Sequence, residues 1–389
     1  MDESKEKQET PDHSENEKRG KKIKIWFLSI LIVLLLLICA AAAVVLPLYQ
    51  SYMDSYTHIG IITRDDEYSR PDPPSGLIIG TGTDVEPTDS EDSVEDPPDT
   101  EPPVSDDATE PPDTGGQHEI IENGIYYVKQ KDPDIENILV LGTDSRNVAS
   151  DRGRTDSMIV ASFNKKTGEI KLISLLRDTY VPIEGHGWNR LNTAYAYGGV
   201  SLCINTINDL FDLDIQKFVI VNLSGTESFV NTCGGVDIAL TEKELDYLTN
   251  YETHTLTKNS DGTYHLDGSA ALAYMRIRKI DSDFKRTERQ RKTIMALYSQ
   301  VMERKNVTEI YNLVREGFKL VKTNIKLNEM LELAKSVVSL GNNLTILSDR
   351  IPCGKNGDAW NYATTPGGAS VIAIDFDKNT EYLRKLIYG

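Results

Sequence analysis

Hydrophobic residues follow two different spacings from about residue 120 to the C-terminus. Short apolar runs bounded by turn residues predict strands over 137–142, 157–163, 170–176, 218–223, 236–240, 343–348 and 371–375. Apolar residues spaced three and four apart predict helices over 199–211, 226–233, 267–274, 307–318 and 327–340, a long helix ending near 304, and a last helix from Thr380. The loose alternation of strands and helices predicts an α/β fold with a mixed β-sheet flanked by helices. No linker-like break divides 120–389, so we expect one domain there.

An unbroken apolar run without a charge lies near the N-terminus, from Ile25 to Leu46. As a helix it would be about 33 Å long, enough to cross the hydrocarbon core of a bilayer. Lysines and arginines cluster just before it, which predicts a cytoplasmic tail over 1–24 and an extracytoplasmic remainder. A cleaved signal peptide is the alternative, because Ala40–Ala43 offers small residues. The length of the run and of the charged tail favours an uncleaved transmembrane helix over 25–46.

Residues 47–119 form a segment rich in proline and acidic residues. Between Asp65 and Glu119 there are eighteen acidic residues and one basic residue, so this stretch carries −17 of the formal net charge of −18. Few apolar residues occur over 65–118, which is typical of a disordered, self-repelling spacer within the linker 47–119. The folded part of the chain is therefore nearly neutral, and the total charge says little about its ligands.

The cysteines do not have the spacing of a zinc site, since no CxxC or Cys/His pattern occurs. Cys203 and Cys233 could form a disulfide in an oxidising compartment. The alternative, two small buried thiols, is favoured by the usual behaviour of free cysteine.

An arginine-rich stretch, Tyr274 to Gln290, is the most distinctive part of the sequence. If the chain is extended at Arg276 and Arg278, both side chains leave from the same side. After Asp283 the spacing becomes helical, and Arg286 and Gln290 lie one turn apart.

The apolar stripe of this helix contains Ile294, Leu297 and Val301 and passes through Gln290, so Arg286 and Gln290 should point inward, with Arg289 on the flank. Guanidiniums that face an interior need an anion there, and a phosphate or pyrophosphate suits them. A solvated basic face with internal acidic partners is the alternative.

Charged residues also end two of the predicted strands. Asp144 follows one strand and Asp156 precedes the next, so both carboxylates meet at one sheet edge if these strands are neighbours. Such a pair suits Mg²⁺, whereas a turn capped by Asp and Thr is the alternative. Arg177 and Asp178 follow a third strand, where α/β folds place ligands; a buried ion pair that holds the loop is the alternative.

These motifs together resemble the LytR–CpsA–Psr (LCP) family of membrane-anchored phosphotransferases in cell-envelope assembly. The matching stretches are GTDSR at 142–146, GRTDSM at 153–158, LLRDT at 175–179, LNTAYAYGG at 191–199, CGGVDI at 233–238, LDGSAALAYMRIR at 266–278 and DFKRTERQR at 283–291. The resemblance implies transfer of a glycopolymer, such as a teichoic acid or capsule polymer, from a polyprenyl-pyrophosphate carrier to a hydroxyl of peptidoglycan. It also implies an apolar tunnel for the lipid between sheet and helices.

The resemblance further implies roles for individual residues. Asp144 and Asp156 resemble a pair that binds Mg²⁺, or Mn²⁺ in its place. The residues that resemble a pyrophosphate-binding set are Arg177, Arg276, Arg278, Arg286 and Gln290, with a looser match at Arg146 and Arg154. The family often has Phe-Gly after two acids, whereas here Lys285 follows Phe284, which leaves the role of Asp283 open.

The expected chemistry is an attack by the acceptor hydroxyl on the sugar-side phosphorus, with polyprenyl phosphate as the leaving group. Arg177 and Arg278 would stabilise the charge that develops, and Asp178 and Asp283 are candidates for the general base.

Other functions remain open at this point. The same site could use water instead of a sugar hydroxyl as the acceptor and so act as a polyprenyl-pyrophosphate hydrolase. The chain could also be a non-catalytic binding protein or an envelope regulator that attenuates transcription. Direct contact with nucleic acid is not expected, because only the 24-residue tail is cytoplasmic in the predicted topology.

Overall fold

In a computed structural model of the chain, the residues described are 60–62, 68–79, 124–143, 155–303, 307–340 and 344–389. All of them belong to one compact unit, Ser55–Gly389. The predicted tail 1–24 and transmembrane helix 25–46 lie outside the described residues, as does most of the segment 47–119. None of the helices in the described ranges is long and apolar enough to cross a bilayer. The division of the chain into these regions stays a prediction.

The strands are numbered here in chain order. They are Gly60–Ile62 (β1), Ile78–Ile79 (β2), Gly124–Tyr126 (β3), Ile135–Thr143 (β4), Thr155–Asn164 (β5), Glu169–Leu175 (β6), Tyr180–Ile183 (β7), Gly187–Arg190 (β8), Lys217–Asn222 (β9), Val236–Ile238 (β10), Thr257–Lys258 (β11), Tyr264–Leu266 (β12), Val321–Thr323 (β13), Thr345–Ile351 (β14), Trp360–Thr364 (β15) and Ser370–Ile374 (β16).

The helices are numbered in the same way. They are Thr193–Phe211 (α1), Leu223–Thr232 (α2), Glu242–Asp246 (α3), Gly268–Arg276 (α4), Asp283–Glu303 (α5), Val307–Phe318 (α6), Leu327–Leu340 (α7) and Phe376–Tyr388 (α8). A short π-helix, Tyr247–Tyr251, continues α3. Helix α4 begins where the Asp267 side chain accepts a hydrogen bond from the Ala270 N–H, a typical N-cap.

A mixed six-stranded sheet in the order β13-β9-β4-β5-β6-β14 is the centre of the fold. Strands β4 and β5 pair in antiparallel fashion, whereas β9 lies parallel to β4 and β14 lies parallel to β6. One face of the sheet, with Leu139 and Leu141 of β4, packs against α1 and α8 in the main hydrophobic core. The predicted α/β fold with a mixed sheet and flanking helices is confirmed.

The other face of the sheet is apolar but incompletely covered. Along β4, buried residues alternate with half-buried ones, and the half-buried positions include Ile138 and Val140. Val219 and Val221 of β9 are also half-buried. Because side chains alternate between the faces of a strand, these residues lie opposite the main core.

Helices α5 and α7 reach the sheet from this second side. Arg291 of α5 donates hydrogen bonds to Ser174 of β6 and Ser348 of β14, each at 2.6 Å. Lys217 of β9 pairs with Glu329 of α7 at 3.6 Å. No residue of α7, which is fully described, is completely buried, although its sequence has an apolar stripe. An open apolar layer therefore lies over β4 and β9 on the second face of the sheet, whereas Ile159 of β5 and Leu172 of β6 are buried on that face.

The structure differs from the sequence prediction at several elements. Helix α1 begins at Thr193 rather than 199, because a kink at Gly198 and Gly199 joins two helical pieces; Gly199 has a φ of 61°, which glycine adopts readily. Helix α8 begins at Phe376 rather than Thr380. The β7–β8 hairpin and strands β13 and β15 were not predicted. Cys203 and Cys233 are both buried and do not form the disulfide.

Two parts of the predicted linker 47–119 pair with the folded domain. β1 lies parallel to β3, and β2 pairs with β15 through Ile79–Ala363 and Ile78–Thr364. The Arg70 guanidinium lies 4.5 Å from the centre of the Phe376 ring. β2 lies within 65–118, so the prediction of a disordered spacer differs from the structure there, because the pairing partner β15 is distant in sequence.

Replacing Gly268 by alanine should destabilise the domain by about 1–3 kcal/mol, the usual effect of overpacking. A Cβ atom there would collide with the backbone carbonyl oxygen of Glu227 in α2 and lie 2.7 Å from the side-chain nitrogen of Asn231. Thermal unfolding of the full chain measures the effect. Gly367→Ala is the control, since the nearest atom to its Cβ is 3.9 Å away. Equal melting temperatures for the two variants would contradict this close packing of α2 and α4.

Candidate active site

Asp156, the second residue of β5, is the point at which three arginines meet. Its Oδ1 accepts from Arg177 Nη1 at 2.6 Å and pairs with Arg278 Nη2 at 3.1 Å. Arg286 Nη2 donates to the backbone carbonyl of Asp156 at 3.2 Å. Burial alone would raise the pKa of Asp156, but the charges of the three arginines outweigh it and hold this pKa below its ordinary value.

Arg286 has buried N–H donors that lack partners in the described structure. Its side chain is 2% exposed, and neither Nε nor Nη1 makes a hydrogen bond. Gln290, one turn later on α5, is also buried and its Oε1 lacks a partner. Burial lowers the pKa of Arg286 to about 10, so the group remains charged at neutral pH. The inward orientation predicted for Arg286 and Gln290 is confirmed, and the site has donors available for an anion.

Two further carboxylates flank the arginines. Asp283, the first residue of α5, pairs with Arg286 at 2.6 Å and lies 3.9 Å from Arg177 Nε. Burial raises the pKa of Asp283 even though these arginines oppose the shift. Asp178 lies 3.5 Å from Arg177 and 3.4 Å from Arg190. The acidic partners expected of a solvated basic face are therefore present. However, four guanidiniums share only three carboxylates: Arg177, Arg190, Arg278 and Arg286 share Asp156, Asp178 and Asp283. We call these seven residues the arginine cluster.

Arg190 was not identified from the sequence. It belongs to the β7–β8 hairpin, whose turn contains glycines with positive φ at 185 and 187, and this hairpin carries it to Asp178. The turn residues are a signal from which the hairpin could have been found.

Arg289 and Arg291 have structural partners instead. Arg289 is 2% exposed and donates to both oxygens of Asp281 at 2.7 Å, and also to Glu244 at 3.3 Å. A further bond to the Ile277 carbonyl at 2.7 Å fixes the turn between α4 and α5. The sequence placed Arg289 on the flank of the helix, whereas it is fully buried. Arg291 holds α5 to the sheet through Ser174 and Ser348, as described above.

The expected pairing of Arg276 with Arg278 on one side of an extended chain is wrong. Arg276 is the last helical residue of α4, and Ile277 ends the helix. Among the described residues no ion pair joins Arg276 to the cluster, and its positive charge acts instead on the Tyr247 phenol. Arg278, which follows the end of the helix, is the residue that reaches Asp156. Two residues that are two apart share a side only in an extended chain, and the backbone at Arg276 is helical.

The residues proposed from the loop after β4, namely Asp144, Arg146 and Arg154, lie outside the described residues. Thr143 and Thr155, which flank that loop, are paired, so β4 and β5 are indeed neighbours. No group of three potential metal-ligating side chains occurs within the described ranges. Asp156 nevertheless fits half of a carboxylate pair for a hard cation, because it is ionised and both of its ion pairs use Oδ1.

The arginine cluster lies at one end of the apolar layer on the second face of the sheet. Asp156 begins β5 beside the end of β4, whose half-buried residues Ile138 and Val140 extend away from it. Arg286 and Arg291 both belong to α5, and both contact strands of the sheet. This geometry suits a molecule with an anionic head and a long apolar tail.

Comparison with known proteins agrees with this geometry. The model of the LytR_cpsA_psr family matches residues 106–365. The chain is 34% identical over 181 residues to the polyisoprenyl-teichoic acid–peptidoglycan teichoic acid transferase TagT of Bacillus subtilis (strain 168), a match covering 45% of this chain and 56% of TagT. It is 36% identical over 178 residues to the TagU transferase of the same name from Bacillus mycoides (strain KBAB4), covering 45% and 55%. The chain thus spans about half the length of the curated relatives it matches.

Solved structures show the same fold. The crystal structure of B. subtilis TagT superposes with a TM-score of 0.52 and 26% identity, covering 67% of this chain and 95% of TagT. A second structure, described as TagT bound to LI-WTA, gives a TM-score of 0.53 at 25% identity with the same coverage.

The two half-buried aspartates, Asp156 and Asp283, should respond to pH in opposite ways when each is replaced by asparagine. The lowered pKa of Asp156 means that its contribution to stability is present above about pH 4 and is lost as pH falls through the folded-state pKa. The raised pKa of Asp283 means that its contribution is present below about pH 4 and is lost as pH rises.

Thermal unfolding of wild type, Asp156→Asn and Asp283→Asn between about pH 3 and 6 tests this difference. As pH rises, Asp156→Asn should become less stable relative to wild type, and Asp283→Asn more stable relative to wild type. Parallel pH profiles for the two variants would show that the described charge network does not exist in solution.

Proposed function

Since the chain belongs to the LytR_cpsA_psr (LCP) family, we propose that it is a membrane-anchored phosphotransferase that attaches a glycopolymer to peptidoglycan. The donor is a polyprenyl-pyrophosphate-linked glycan, and the acceptor is a peptidoglycan hydroxyl. The observation that carries this proposal is the set of unpartnered buried donors on Arg286, next to Arg177 and Arg278, at one end of an apolar layer. The names of the relatives TagT and TagU support a teichoic acid as the polymer.

Each part of the site has a role in this reaction. Arg177, Arg278 and Arg286 bind the pyrophosphate, and their charges stabilise the negative charge that builds up on its oxygens. Gln290 helps to orient the group. The half-buried apolar residues of β4 and β9 and the apolar stripe of α7 bind the polyprenyl chain. Arg146 and Arg154 would add positive charge from the loop between β4 and β5. Arg276 has weaker support because its charge acts on Tyr247.

The reaction is a displacement at the sugar-side phosphorus. The acceptor hydroxyl oxygen forms a new bond to phosphorus, and the bond to the polyprenyl phosphate oxygen breaks. The electron pair of that bond leaves with polyprenyl phosphate. The hydroxyl proton passes to a carboxylate, for which Asp283 is the stronger candidate because its raised pKa makes it the better base; Asp178 is the other.

We assign Asp144 and Asp156 to a divalent cation, Mg²⁺ or Mn²⁺ in its place. Asp156 supports this role because the neighbouring arginines keep its carboxylate ionised, and ionised carboxylates are the ligands that Mg²⁺ prefers. The cation, when bound, would supply further positive charge to the pyrophosphate.

The proposed topology follows the same division as the sequence. The helix 25–46 anchors the protein, the tail 1–24 is cytoplasmic, and residues 120–389 form the extracytoplasmic catalytic domain at the cell envelope. Nucleic acid is not a proposed partner.

Transfer activity should depend on the arginine cluster. Full-length protein in detergent is incubated with a polyprenyl-pyrophosphoryl disaccharide, peptidoglycan fragments and Mg²⁺, and mass spectrometry follows polyprenyl monophosphate and the phosphosugar-linked acceptor. Arg278→Ala should lower the rate by roughly 100-fold or more, the usual effect of removing one donor that stabilises a transition state. Asp156→Ala should act similarly, because it removes the carboxylate that positions Arg177 and Arg278.

Arg315→Ala is the matched control, since Arg315 is an exposed arginine of α6 outside the cluster. Formation of polyprenyl monophosphate without the phosphosugar-linked acceptor would favour the alternative function, a polyprenyl-pyrophosphate hydrolase. Unchanged transfer by Arg278→Ala would overturn the proposed site.

A further inference from the structure

Three aromatic rings form a connected series beside the arginine cluster. The Phe284 and Trp360 ring centres are 5.0 Å apart, and the Trp360 and Tyr362 centres are 5.2 Å apart. The Arg350 guanidinium covers Phe284 at 4.4 Å from the ring centre. The series thus runs from the beginning of α5 to strand β15.

This series is fixed to the catalytic residues by its neighbours in the sequence. Phe284 directly follows Asp283, and Leu176, which precedes Arg177, packs in one buried cluster with Trp360 and Ile372. The Ile372 N–H of β16 donates to the Asp178 carbonyl at 2.9 Å. The small sheet β16-β15-β2 is therefore attached to the same loop that carries Arg177 and Asp178.

Tyr362 is the exposed end of the series. Trp360 is only 6% exposed, whereas Tyr362 is 45% exposed. The Tyr362 ring stands at 88° to that of Trp360, an edge-to-face contact that fixes its orientation. Burial raises the pKa of Tyr362 and the charge of Asp283 raises it further, consistent with a position close to the cluster.

An exposed apolar residue continues this surface. Ile78 of β2 is 68% exposed and lies opposite Thr364, two residues after Tyr362 on the same face of β15. Tyr362 and Ile78 together form an apolar surface beside a strongly charged site.

We infer that Tyr362 is a stacking platform for a sugar ring of the donor glycan, next to its pyrophosphate. This inference rests on the proposed function and deepens it. The polyprenyl chain occupies the apolar layer on one side of the arginines, so the glycan must leave on another side. The C–H groups on one face of a pyranose ring pack against an aromatic face, and a phenol can also bond a sugar hydroxyl. Tyr362 offers both at the border of the cluster.

The test measures the binding of two lipids by the full-length protein in detergent. One is a polyprenyl-pyrophosphoryl disaccharide, and the other is polyprenyl pyrophosphate with the same chain but no sugar. Tyr362→Ala should weaken binding of the first roughly fivefold to tenfold and leave binding of the second unchanged. Tyr362→Phe and Tyr362→Trp should keep most of the affinity, because the ring is retained. Tyr127→Ala is the matched control, since Tyr127 is an exposed tyrosine, 58% accessible, that follows β3 and lies outside the arginine cluster.

The outcomes separate this inference from the proposed function. If Tyr362→Ala binds both lipids as wild type does, or weakens both equally, the platform is wrong while the pyrophosphate site stands. If wild-type protein binds neither lipid, or if Arg278→Ala binds both as tightly as wild type, the proposed function fails and the platform with it. A loss confined to the disaccharide lipid supports the platform, whether or not transfer is observed.

Discussion

The buried guanidinium of Arg286 at the beginning of α5, with N–H donors that lack partners, is the constraint on which the site depends. A buried N–H without a partner costs about 1–3 kcal/mol, and more when the group is charged. Arg286 has two such nitrogens and shares Asp156 and Asp283 with Arg177 and Arg278. A fold tolerates this arrangement where the unused donors have a ligand, and a pyrophosphate has the charge and the oxygens to satisfy them.

Two other buried arginines of α5, Arg289 and Arg291, fix the position of the helix that carries Arg286. Arg289 is as deeply buried as Arg286, but both of its terminal nitrogens are paired, with Asp281, Glu244 and a backbone carbonyl, and only Nε lacks a partner. Arg291 ties the same helix to two strands of the sheet. Two arginines of one helix therefore stabilise its position, and the third is left with free donors. The open apolar layer beside it suits a lipid-linked anion better than a soluble phosphate.

The sequence predicted those parts of the molecule that depend on local spacing. Helices α6 and α7 have the predicted bounds, and the burial of Arg286 and Gln290 followed from the helical stripe through Gln290. Arg276 was misplaced because a period of two was assumed where the chain is still helical. The pairing of Asp156 with Arg177 and Arg278, and the attachment of β1 and β2 to the domain, depend on contacts between distant residues. Tyr362 lies in a short strand whose apolar pattern gave no sign of its position beside Asp283.

The most direct test of the account replaces Arg286 by methionine in the full chain and compares thermal unfolding with and without polyprenyl pyrophosphate. Removing Arg286 leaves the Asp283 carboxylate without its partner at 2.6 Å, and breaking a buried ion pair from one side is usually destabilising. The account predicts that Arg286→Met without lipid melts below the wild-type temperature, and that the rise in melting temperature that the lipid gives wild type is lost in the variant. If instead the lipid raises the melting temperature of the variant as much as that of wild type, Arg286 is a structural residue and the pyrophosphate is bound elsewhere.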